Sequence, residues 1–215
     1  MRIDVHHDLV CPWCRIGKAN LDAAIGQWQG EPPVVSYRPF LLDPEAPESP
    51  EPLLDWFRRT KGVADPLPLF ERVSQAGAAA GVRFRFDLAR SVQTRDAHRL
   101  ILAAPPEFQQ PLIDVLHRRY FEEGANIGDP LVLAQAAADA GLDRAEALDL
   151  LESGAGLLEL QAALRESHQI VQGGVPFFVF DGRYALSGAQ PPEVLLQAIG
   201  QVDAATGAGG GRPAG

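Results

Sequence analysis

At 215 residues the chain has room for one ordinary domain, or for a small one that carries a large insertion. Its 46% hydrophobic content is enough to bury a sizeable core and excludes wholesale disorder. The formal net charge of −9 argues against nucleic acid as a partner, and no apolar run reaches the ~20 residues of a membrane helix.

The first element is a short strand, Ile3-Asp4-Val5-His6-His7, which Asp8 breaks before the segment Cys11-Pro12-Trp13-Cys14. No basic start followed by a ~7–15-residue apolar stretch precedes Cys11, so the expected compartment is the cytoplasm. Thiols are held reduced there, and a structural disulfide is out of place. The chain's only two cysteines therefore point to redox chemistry or to a metal.

Pro12 suits the first position of a helix, where its missing N–H is no loss. Cys14, Gly17, Leu21, Ile25 and Trp28 follow at spacings of three and four along one stripe. Gly30 and Pro32-Pro33 end that helix, and Val34-Val35-Ser36-Tyr37 reads as a second strand. A long helical section follows, with stripes through Phe70, Val73 and Gly77 and through Ile113, Leu116 and Tyr120. Asp129-Pro130 caps a helix that Gly141 stops, and Asp143 with Glu146 opens the next. Leu157, Leu160, Leu164 and His168 mark another, and Arg83-Phe84-Arg85-Phe86 suggests a brief extended piece. Strands return at Pro176–Phe180 and Tyr184–Ser187, joined by the Asp181-Gly182 turn signal. A last helix carries Leu195, Ile199 and Val202. The order β-α-β, helices, β-β-α predicts an α/β thioredoxin-like fold interrupted by a helical insertion. Residues 1–42 and 171–203 are assigned to the thioredoxin-like domain, 43–170 to the insertion and 204–215 to a disordered tail.

The C-x-x-C pair at a helix start carries the chemistry. Cys11 falls at the cap, where free N–H groups and the positive helix end favour a thiolate. Cys14 shares the apolar stripe and is expected to be the more buried. Cys11 is thus the exposed attacking thiol and Cys14 the resolving one. Zinc normally takes four Cys or His ligands, and none of His6, His7, His98, His117 and His168 forms a second pair at ligand spacing, so no metal is assigned. Trp13 offers an exposed apolar docking surface. Gly173-Gly174-Val175-Pro176 precedes the strongest strand signal, which suits a proline at a strand start. Val175 and Pro176, with Pro12 and Trp13, are the expected substrate-binding residues. His98 and His168 read first as partly buried, hydrogen-bonded helix residues, with His98 also a candidate for lining the site.

These segments resemble the DsbA family. The likeness is closer still to its cytoplasmic branch, which is related to polyketide-biosynthesis proteins and 2-hydroxychromene-2-carboxylate isomerases. The resemblance runs to about Ile199 and rests chiefly on Asp8-Leu9-Val10-Cys11-Pro12-Trp13-Cys14 and Gly174-Val175-Pro176-Phe177-Phe178-Val179. Ile16-Gly17-Lys18, Arg38-Pro39-Phe40, Ala97-His98-Arg99-Leu100 and Ser187-Gly188-Ala189-Gln190 support it. It implies a redox cysteine pair and a cis peptide bond before Pro176, facing that pair. The isomerases and the kappa-class glutathione transferases place Ser where Cys11 stands, so two cysteines move this chain toward disulfide exchange. The strongly oxidising periplasmic members carry His between the cysteines, where this chain has Pro12-Trp13. Gln93-Thr94 stands where the branch often has Asn-Thr, a departure that weakens the carry-over of glutathione binding.

The expected function is that of a thiol–disulfide oxidoreductase acting on thiol- or disulfide-containing proteins or small molecules. A glutathione-dependent isomerase or transferase of an aromatic or polyketide-like compound is the alternative. No bound cofactor is called for, glutathione is a candidate co-substrate, and monomer and homodimer both stay open.

Overall fold

The computed structural model describes residues 1–47 and 49–208. Its chain order is β1 (Arg2–His7), α1 (Pro12–Gln27), β2 (Val34–Pro39), β3 (Glu51–Pro52), α2 (Leu53–Thr60), α3 (Leu67–Ala79) and β4 (Arg90–Ser91). It continues with α4 (Arg95–Ala103), α5 (Pro106–Phe121), α6 (Pro130–Asp139), α7 (Arg144–Glu152) and α8 (Leu157–Ile170). The C-terminal elements are β5 (Phe177–Phe180), β6 (Tyr184–Ser187) and α9 (Pro192–Ala208).

Four strands form one mixed sheet in the order β2-β1-β5-β6. β1 pairs with β2 in parallel, Val5 opposite Tyr37, and with β5 antiparallel, Val5 opposite Phe178. Parallel pairing requires a crossover, and α1 supplies it. β1 lies between two neighbours and is buried from Ile3 to His7, so its side chains face packed layers on both sides. The β5–β6 hairpin turns through Asp181 and Gly182, both at positive φ (47° and 67°), the geometry that Asp-Gly favours. α1 packs beside α9, and Asn20 Nδ2 donates to the Gln190 carbonyl at 2.9 Å just before α9 begins. The fold is thus thioredoxin-like, interrupted between β2 and β5 by a helical insertion.

Local chemistry explains the helix ends. Asp129 accepts the Leu131 N–H at 2.8 Å to start α6, and Gly141 at φ 94° ends the turn that follows. Asp143 accepts from the N–H groups of Ala145 and Glu146 to start α7.

The secondary structure and its packing depart from the expected pattern in three places. Arg83–Phe86 is irregular and not a strand: Phe84 and Phe86 stack 5.1 Å apart against Phe121 instead of joining a ladder. α9 continues through Ala208, because Ala204 and Ala205 are strong helix formers, so residues 204–208 do not belong to the expected tail. The rest of that assignment, 209–215, lies outside the described residues. On α8 the buried positions are Leu160 and Ser167, while His168 is exposed and rests against the Phe40 ring at 4.9 Å.

Candidate active site

The end of β1 delivers the chain into a tight turn, held by the Cys11 N–H donating to the Asp8 carbonyl at 3.1 Å. Cys11 is the N-cap of α1 with extended backbone (φ −82°, ψ 111°), and Pro12 stands in the first turn. The Cys14 N–H donates to Cys11 Sγ at 3.3 Å, so the sulfur does the capping that an oxygen does elsewhere. Both cysteines are free thiols. Burial, with Cys11 adjacent, pushes the Cys14 thiol well above the ordinary cysteine range.

Cys11 is only 3% exposed and Cys14 2%, so the expected exposure of Cys11 is corrected. The contrast between them lies in what each faces. Cys11 forms part of the wall of a cavity of about 400 Å³, whereas Cys14 is buried away from that wall. Residues of the insertion line the same cavity as Cys11, which motif spacing alone does not show.

Pro176 meets this turn from the other end of the chain. The Val175–Pro176 peptide is cis, and Cys11 Sγ donates to the Val175 carbonyl at 3.7 Å. Gly17 makes this approach possible. A methyl group at position 17 would lie 2.8 Å from Pro176 Cγ and 3.2 Å from Phe178 Cζ, too close on both counts. Cys11, Pro12, Trp13 and Val175 all line the cavity, and Trp13 is 42% exposed at its edge. Four of the expected site residues therefore converge on the cavity, and Pro176 follows Val175 directly, against Gly17 of α1.

The far wall comes from the insertion: Trp56 and Phe57 of α2, Phe70 of α3, and Phe86. Phe57 contacts Phe70, and Phe70 contacts Phe86, at ring separations of 5.0 and 4.4 Å. Lys61 Nζ sits 4.6 Å above the Trp56 ring. The sequence reading missed this wall. The Trp56-Phe57 pair, the Phe70/Val73 stripe and Phe86 in the Arg-Phe alternation were its signals.

His98 is buried and not part of the cavity wall, which corrects its candidacy for lining the site. Its Nε2 lies 3.3 Å from Asp8 Oδ1, and the same oxygen accepts from Thr94 Oγ1 at 2.8 Å. Asp8 Oδ2 accepts the N–H of Leu42, a cavity residue, at 2.8 Å. Asp8 thus joins the cysteine turn, the start of α4 and the cavity wall, a role beyond that of a strand breaker. His7 lies 5.2 Å from His98, ring to ring. Burial above all holds His7 and His117 well below the ordinary histidine range, and both rings are neutral. His6 Nδ1 pairs with Ser167 Oγ at 2.8 Å, so the adjacent histidines serve opposite layers.

The arrangement has known counterparts. Residues 2–200 match the DSBA-like thioredoxin domain family. A "probable DsbA oxidoreductase" from Streptomyces coelicolor superposes with a TM-score of 0.87 at 31% identity, over 100% of this chain and 93% of that one. The cytosolic disulfide reductase DsbM of Pseudomonas aeruginosa shares the fold at TM-score 0.68 and 21% identity, covering 94% and 99% of the two chains. A 2-hydroxychromene-2-carboxylate isomerase shares it at TM-score 0.69 and 14% identity, covering 98% and 100%.

Proposed function

Because the chain belongs to the DSBA-like thioredoxin domain family, we propose that it exchanges thiols and disulfides through Cys11 and Cys14. The observation that carries the reading is the cap itself. Cys11 Sγ sits at the positive end of α1, accepts the Cys14 N–H at 3.3 Å and faces the cavity. As a thiolate, Cys11 attacks one sulfur of a substrate disulfide; the S–S bond breaks and one thiolate leaves with its electron pair. Cys14 then gives up its proton and attacks Cys11 Sγ, releasing the second thiolate. The substrate gains two electrons, and the protein is left with a Cys11–Cys14 disulfide.

The reverse sequence oxidises a substrate dithiol. Either protein or small-molecule partners suit this chemistry, and glutathione is the thiol proposed to restore the reduced state. The backbone of Val175, beside Cys11, would pair with an extended substrate segment. Among the described residues no helix is long and apolar enough to cross a membrane. The cytosolic disulfide reductase among the structural neighbours supports a cytoplasmic setting. A glutathione-dependent isomerase would need only a hydroxyl at position 11 to hold the glutathione thiol, and a cysteine at both 11 and 14 favours exchange instead.

The test is a reaction of the fully reduced protein with a small disulfide, followed by intact mass. The unsubstituted chain should end lighter by two hydrogen atoms with two thiols released. Cys14→Ser should accumulate a mixed disulfide and Cys11→Ser should stay unreacted. If Cys11→Ser forms the adduct and Cys14→Ser does not, the two roles are reversed. If none of the three reacts, the function is wrong.

A further inference from the structure

We infer that the cavity beside Cys11 receives a small-molecule disulfide or thiol with an aromatic body, its sulfur at Cys11 and its ring toward Trp56, Phe70 and Phe86. This rests on the exchange chemistry above and names the substrate that the same site selects. The first observation is size. A cavity of about 400 Å³ lies within the ~300–1,000 Å³ of small-molecule sites. It is more than twice the ~150 Å³ of an apolar cavity known to bind benzene.

The second observation is the wall. Trp13, Trp56, Phe57, Phe70 and Phe86 supply ring faces and edges, with Leu, Val and Ala between them. Its polar groups are few and in part already used. Tyr120 Oη donates to the Arg90 carbonyl at 2.8 Å, and Ser91 Oγ accepts the Glu51 N–H at 3.5 Å. Past the backbone of Val175, a peptide main chain reaching the aromatic wall would leave N–H and C=O groups without partners, a penalty that an aromatic body avoids. The two charged side chains of the wall, Lys61 and Asp43, are opposite in sign, so selection rests on shape and apolarity.

The third observation is position. Cys11 lines the same cavity as the rings, so a bound aromatic body brings its own sulfur to the attacking one. The chemistry stays balanced in a single turnover: one substrate disulfide becomes two thiols while Cys11 and Cys14 become a disulfide.

The experiment compares bis(2-phenylethyl) disulfide with hydroxyethyl disulfide, both leaving as alkyl thiols, in one mixed solvent. Reduced protein is mixed with each, and the second-order rate constants are expressed as a ratio. The ratio should exceed that for free dithiothreitol by roughly 10-fold or more, the scale of pocket discrimination per small apolar group. Ala46→Phe, which fills the wall, should lower the ratio. Independently, 2-naphthol should slow alkylation of Cys11 by iodoacetamide in the unsubstituted protein, which decides the matter if Ala46→Phe does not fold. A ratio equal to that of dithiothreitol, with hydroxyethyl disulfide still reduced, overturns the inference and leaves the exchange function standing. If neither disulfide is reduced, the exchange function falls. The naphthol result then decides the cavity alone: protection sustains an aromatic site there, and no protection overturns it.

Discussion

Replacing Gly17 by Ala should separate the two halves of the site. The new methyl group would lie 2.8 Å from Pro176 Cγ and 3.4 Å from Pro176 Cβ, and 3.2 Å from Phe178 Cζ. Ordinary carbon contacts are ~3.5–4.0 Å, so α1 and the start of β5 must part by about 0.7–1.2 Å. Phe178 is fully buried and Pro176 is a rigid ring, so neither can turn aside. Overpacking of this kind costs ~1–3 kcal/mol. Ala also gains ~0.5–1 kcal/mol over Gly inside a helix, which leaves a net loss of about 0–2.5 kcal/mol. Gly26 lies on the same helix with nothing within 4 Å of the added methyl, so Gly26→Ala receives the gain alone. The functional effect should be larger than the stability effect. Moving Val175 by ~1 Å from Cys11 can lower exchange with an extended substrate by up to ~100-fold. Iodoacetamide, which needs only the sulfur, should react nearly as before. Urea unfolding and stopped-flow disulfide reduction measure the two parts. If Gly17→Ala matches Gly26→Ala in both, the close approach does not hold the site together.

Three further outcomes are expected. Since burial raises the Cys14 thiol, thiol release from a Cys11 mixed disulfide should quicken about tenfold per pH unit beyond the ~8.5 where free cysteine levels off; a plateau below that pH contradicts it. His7 and His117 stay neutral in the folded state, so from about pH 6.5 downward the unfolded chain binds protons the folded one refuses. Stability should fall as pH falls, by up to ~2.7 kcal/mol per unit for the pair, and His117→Gln should remove about half of that slope in urea titrations. Asp8→Asn places an amide NH₂ among the donors of Thr94, His98 and Leu42. It should lower stability by ~1–3 kcal/mol, and an unchanged urea midpoint would rule out the bridging role.

Most of the path that positions the site was legible because it rests on local signals. Pro12 after Cys11, the Asp129 and Asp143 caps and the Asp181-Gly182 turn each act within a few residues, and each stands where expected. Features that depend on distant partners were not legible. Arg15 and Lys18 are buried on α1 only because Glu122 neutralises the first and Asp22 with Asp114 the second. β3 and β4 are two residues each and exist only as each other's partner across some 40 positions. The aromatic wall opposite Cys11 has the same origin: it arrives from the insertion, and no spacing around the motif encodes it.

The cap of α1 is consumed by the reaction it serves. While Cys11 is free, its sulfur is the acceptor for the Cys14 amide. Once that sulfur is bonded to a partner or to Cys14 it shares its electrons with a second sulfur, and its power to accept falls. One backbone amide therefore carries a record of the oxidation state: its proton resonance and its exchange with solvent follow the sulfur directly. The first turn of the helix is in this sense an internal gauge, readable by NMR without a substrate, a label or a second protein.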